Sequence, residues 1–94
     1  MGLNELTVFV SKQGEPWWSV PEVAELLGAN VRDVQSVWRV KQRIWAWSCG
    51  HGFIQLMDGA GLIACCAESG DTDPADATDY VMAEIEYHEL RKGA

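Results

Sequence analysis

SVPEVAELLGANVRDVQSVW, residues 19–38, has the spacing of a helix, a tight turn and a second helix. Ser19 and Glu22 stand three apart, the spacing of a capping box, in which hydroxyl and carboxylate reciprocally satisfy free backbone N–H groups. Pro21 falls in the first turn, where its missing N–H costs little. Trp18 before the cap and Val23 inside the helix are placed to form a hydrophobic staple. Val23, Ala24, Leu26 and Leu27 supply the apolar side, and Gly28 can end the helix in the left-handed conformation. Asn30 then predicts a second N-cap, with Asp33 in the first turn near the positive end of the helix dipole.

The second helix divides its side chains by helical spacing. Val31, Val34, Val37 and Trp38 form one stripe. Arg32, Gln35, Ser36, Arg39 and Arg43 recur at i, i+3, i+4, i+7 and i+11 and form the other. This basic-polar stripe contrasts with the chain as a whole, whose formal charge is -7. Residues 1–50 hold five basic and five acidic side chains, whereas residues 51–94 hold two basic and nine acidic ones. The entire excess lies in the second half, so each half calls for its own explanation.

Working outward, LTVFV (6–10) is expected to be a strand, and KQGEP (12–16) a turn. After the helix pair, residues 44–66 are expected to form a β-hairpin and meander. Its strands are Ile44 to Trp47, Phe53 to Met57 and Leu62 to Cys66, with SCGHG and DGAG as turns. ESGDTDPADATD is expected to be an acidic loop. It leads into a C-terminal helix over 73–92 that starts with an Asp73 cap and Pro74. On that helix Ala77, Tyr80, Val81, Ile85 and Tyr87 fall broadly on one side, and Asp79, Glu86 and Glu89 on the other. Glu84 and His88 are four apart and form a neighbour pair on the helix face. With 94 residues, 48% of them hydrophobic, the chain is expected to be one α+β domain. No apolar run is long enough to span a membrane, and the start MGLNELTVFV lacks a basic leader, so a soluble cytoplasmic protein is expected.

Three cysteines, two of them adjacent, do not suggest a disulfide framework. Cys49, His51, Cys65 and Cys66 include four possible metal ligands, but no C-x2-C pair occurs and adjacent residues of a strand point apart. Neither a metal nor another cofactor is expected. Enzymatic activity is not expected either. Cys49 and His51 lack a third group to orient them, and no phosphate-cradling glycine loop is present.

The stretch from Trp18 to Met57 resembles the winged helix-turn-helix of excisionase- and MerR-type DNA-binding proteins. The likeness rests on the P-E-x-A-x-x-L-G pattern at Pro21, Glu22, Ala24, Leu27 and Gly28, with IWAWSCGHGFIQLM where a β-hairpin wing belongs. The resemblance implies a small DNA-binding accessory or regulatory protein, phage- or mobile-element-borne. Arg32, Gln35, Ser36 and Arg39 would face the major groove, while Lys41, Arg43 and the hairpin tip near His51 would touch phosphates. Arg and Gln can read base edges bidentately, and basic side chains neutralise phosphate. The C-terminal helix is the candidate for self-association into a homodimer that would suit two half-sites.

The acidic half supports a different expectation. Asp71, Asp73, Asp76, Asp79, Glu86 and Glu89 along a loop and helix can imitate phosphate spacing and engage a basic, nucleic-acid-binding protein. Small phage-borne inhibitors, some anti-CRISPR proteins among them, are similar in size and charge. The remaining alternative for both charged faces is a solvated surface.

Overall fold

The computed structural model describes residues 2–41, 45–48, 53–69 and 72–92. After a 3-10 turn at Leu3–Glu5, the described elements run β1 (Val8–Val10), β2 (Pro16–Ser19), α1 (Val20–Leu27), α2 (Val31–Lys41), β3 (Trp45–Ser48), β4 (Phe53–Met57), α3 (Gly59–Ser69) and α4 (Pro74–Lys92). The fold class is α+β. The four strands form one antiparallel sheet in the order β1-β2-β4-β3.

The segment 16–19 is a strand rather than the end of a turn. The hairpin closes at Ser11, whose N–H donates to Glu15 O and whose hydroxyl accepts the Glu15 N–H. Gly14, at φ 83°, supplies the positive φ that the return requires. Pro16 opens β2 opposite Val10, a strand-end position where a missing N–H is tolerated. Trp18 then pairs with Met57 and Ser19 with Leu56, so the strand that enters the helix pair is also the sheet's second strand. Trp17 and Trp18 point to opposite faces, and both are buried.

The helix pair forms as its caps require. The Ser19 hydroxyl accepts the Glu22 N–H over a long 3.4 Å, and Asn30 Oδ1 accepts the Asp33 N–H at 2.9 Å. Gly28 sits at φ 64°, ψ 25°. Its N–H donates to Glu25 O and the next N–H, of Ala29, reaches back to Ala24 O, the paired bonds of a Schellman motif. The capping box itself is only half formed. Glu22 Oε1 accepts the Thr7 N–H at 2.7 Å, so the carboxylate ties α1 to the approach to β1. Ser19 is a strand residue paired with Leu56, and the box closes on its serine side only.

The third expected strand, Leu62 to Cys66, is instead the middle of helix α3, and DGAG is its N-terminus rather than a hairpin turn. Asp58 Oδ1 accepts the Gly61 N–H at 2.9 Å, and its carbonyl accepts the Leu62 N–H. The meander expected over 44–66 thus reduces to the β3–β4 hairpin followed by a helix. An uninterrupted apolar run such as LIACCA has no period to separate a buried strand from a buried helix. Here the solvent side is apolar as well: Gly59, Gly61, Leu62, Cys65 and Cys66 are buried on one side, while Ala60 and Ala67 are exposed on the other. Gly59 permits close approach to α4, since a Cβ there would lie 2.3 Å from Val81 Cγ1.

Helix α4 starts as its sequence indicates, with Asp73 Oδ1 accepting the Ala75 N–H at 2.9 Å ahead of Pro74. Ala77 and Val81 are buried, and Tyr80 and Ile85 pack half-buried against the core. Tyr87 departs from the expected apolar side and is 53% exposed. The core joins Trp18, Val20, Val23, Met57, Leu62 and Cys66 between sheet and helices. Each such large side chain contributes about 1.5–3 kcal/mol by leaving water. Among the described residues no helix is long and apolar enough to cross a membrane.

Candidate nucleic-acid interface

The exposed side of α2 begins with Arg32 and Ser36, both open to solvent. Gln35, expected on the same stripe, is half-buried, and its side-chain amide donates to Gln55 Oε1 on β4. Three residues on from Arg32, about 60° short of a full helical turn, it lies at the flank of the stripe, where the sheet meets α2. Its amide therefore fastens the helix to the hairpin. Arg39 and Lys41 belong to α2, although their side chains are outside the described part of the structure. Arg43, His51 and Cys49 lie outside the described residues, as does the hairpin tip.

The other side of α2 packs inward through Val34, which is buried, and Val37, which is half-buried, whereas Val31 is 39% exposed. Cys65 Sγ on α3 lies 4.0 Å from Val34 O. Cys65, Glu68 and Ser69 border a hollow against Asp33, Val34 and Val37 of α2. Gly59, Ala60 and Ile63 border the side of α3 that meets Val81, Met82 and Ile85 of α4. At 3.6 residues per turn, these two sets lie on roughly opposite sides of α3. Helix α3 thus separates α2 from α4.

Of the six carboxylates singled out on the acidic segment, Asp71 lies outside the described residues, and Asp73, Asp76, Asp79, Glu86 and Glu89 are exposed. Helix α4 packs against α3, β2 and the 3-10 turn. Its acidic surface is therefore directed away from Arg32 and Ser36. Met82 and Leu90, 55% and 75% exposed, lie among those carboxylates and make the surface mixed rather than purely charged. His88 Nε2 lies 3.3 Å from Glu84 Oε2, the expected pair one turn apart, and the His88 ring stands edge-on to Tyr87.

Among the described residues no group of three or more His, Cys, Asp or Glu side chains could hold a metal ion. Cys65 and Cys66 are both buried, and as helix neighbours they diverge by about 100°. Burial pushes the Cys66 thiol above its ordinary pKa, which makes it a poor nucleophile near neutrality. Sequence reasoning missed the Gln35–Gln55 clamp. Its signal was the position of Gln35 beside Val31 and Val34 on the helix, which marks a flank residue rather than a fully outward one. No protein-family model, curated protein or solved structure matches the chain.

Proposed function

We propose that the chain is a small DNA-binding accessory or regulatory protein that presents α2 to the major groove. The observation that carries this reading is the separation of charge: α2 exposes Arg32 and Ser36 on one side of α3, and α4 carries the acidic surface on the other. That separation keeps the α4 carboxylates off the α2 face, where Asp33 and Glu68 remain as exposed acidic neighbours. The winged helix-turn-helix likeness is supported by the order of elements. A capped helix, a three-residue turn and a second helix precede a hairpin whose inner strand, β4, pairs with β2, the strand leading into α1.

In this reading Arg32, Ser36 and Arg39 approach base edges, while Lys41 and Arg43 neutralise phosphates. Gln35 takes a different role from the one first expected: it holds the hairpin at a fixed angle to the reading helix through Gln55. A homodimer would carry two reading helices to adjacent half-sites.

Opposite charge reversals test the reading. Arg32→Glu with Arg39→Glu should abolish duplex binding, and Asp79→Lys with Glu86→Lys should leave it intact or strengthen it. The reverse outcome, with function lost only on reversing the acidic residues, would identify α4 as the working surface.

A further inference from the structure

A groove of about 640 Å³ runs between the β1–β2 turn, the start of α3 and the outer half of α4. Its floor and walls are apolar: Ala60 and Ile63 come from α3, and Met82 and Ile85 from α4. Glu15, Asp58 and Glu89 border it from three different elements, and no Lys or Arg lines it among the described residues. Glu15 and Glu89 are exposed. Asp58 is half-buried and held in place because one of its carboxylate oxygens caps α3. Met82 is 55% exposed, and its unbranched thioether can adapt to an incoming side chain.

An apolar floor with a rim of one charge sign is complementary to a segment whose apolar side chains are flanked by Lys or Arg. Such an occupant buries its apolar side chains on Ile63, Met82 and Ile85 and pairs its cations with the three carboxylates. An acidic segment, or duplex DNA, would be repelled by the same rim. We propose that this groove is a docking site for a basic amphipathic segment of a partner protein. The proposal does not rest on the DNA-binding reading, because no residue of α2 lines the groove.

The test is binding of a synthetic Leu/Lys amphipathic peptide and its Leu/Glu counterpart to the full chain at low ionic strength, followed by fluorescence anisotropy and methyl NMR. The Leu/Lys peptide should bind and shift the methyl signals of Ala60, Ile63, Met82 and Ile85, and the Leu/Glu peptide should not bind. Glu15→Lys with Glu89→Lys should weaken binding by roughly tenfold or more. Asp76→Lys with Glu86→Lys makes the same change of net charge outside the groove and should alter binding by less than about twofold. Ala60→Trp, which fills the groove without removing charge, should also block the peptide. All four charged positions are exposed, so circular dichroism should be unchanged. Equal weakening by the two charge reversals would reduce the effect to general attraction and overturn the proposal. So would methyl shifts confined to residues outside the groove, or no binding of the Leu/Lys peptide. Concentration-dependent shifts of the same four methyls without peptide would also overturn it, by making a second copy of the chain the occupant.

Discussion

The indole N–H of Trp18 donates to the Tyr80 hydroxyl at 2.9 Å, tying β2 to α4 across 62 positions of sequence. The two rings also meet at 5.8 Å between centroids, tilted by 53°. Trp18 is fully buried, so its single polar atom has no access to water as a substitute partner. Tyr80→Phe keeps the ring and removes the acceptor. It should destabilise the protein by about 1–3 kcal/mol, the cost of leaving a buried donor unpaired, as measured by urea unfolding at neutral pH. Unchanged stability would mean that the bond does not join the two halves of the fold.

The same tyrosine makes the fold sensitive to alkali. Burial raises its pKa above the ordinary 10.0, the Trp18 hydrogen bond opposes that shift, and the charges of Glu84 and Glu22 add to it. Below pH 10 the phenol is neutral in both folded and unfolded chains, and its contribution is fully present. Above that, the unfolded chain releases its proton first, so stability falls as pH rises through the raised pKa. Burial of the Cys66 thiol acts in the same direction, from about its ordinary value of 9.0 upward. Urea midpoints should therefore decline as pH is raised past 9. Cys66→Ala should flatten the earlier part of the decline and Tyr80→Phe the later part.

Gly59 is required by the contact between α3 and α4. Gly59→Ala would place a methyl 2.3 Å from Val81 Cγ1 and should cost about 1–3 kcal/mol through overpacking, despite the better helix propensity of alanine. Val81→Ala removes the clashing carbon. In a double-mutant cycle the two changes together should cost less than the sum of the singles. Additive costs would place the strain elsewhere.

The divided role of Glu22 gives a similar test. In a reciprocal capping box, Ser19→Ala and Glu22→Ala remove parts of one interaction and are strongly coupled. Here the serine serves the Glu22 N–H, while the carboxylate serves Thr7. Each change should cost about 0.5–1.5 kcal/mol, with little coupling between them, read by thermal or urea unfolding. Strong coupling would restore the closed box.

What the sequence made legible follows from how local each signal is. Gly28, Asn30 and Asp73 act on neighbouring backbone groups, and their caps form where the residues predict. Glu22 looked local but reaches Thr7, a partner fifteen residues away that no spacing rule supplies. Strand β2 was hidden because Pro16 reads as a breaker, and only its pairing with β1 and β4 makes 16–19 a strand. Helix α3 escapes the spacing rules because alanines on its solvent side, Ala60 and Ala67, erase the amphipathic period, and Asp58, three before Gly61, is a cap signal inside an apparent DGAG turn. At the candidate interface, the exposure of Arg32 and Ser36 followed from helical spacing. The diversion of Gln35 to Gln55 depended on where the hairpin folds back.

If α2 reads duplex DNA, the chain's affinity for duplex must depend on salt, which a salt titration of binding measures. Affinity should be detectable at low salt and fall as salt rises. With Lys41 and Arg43 from each protomer of a dimer on phosphates, about four contacts in all, a log–log slope near −3 to −4 is expected, a loss of roughly 100-fold between about 50 and 200 mM. Arg32→Glu with Arg39→Glu should abolish the binding. Absence of binding to random or genomic duplex even at low salt, or binding indifferent to that double reversal, would show that α2 does not read DNA.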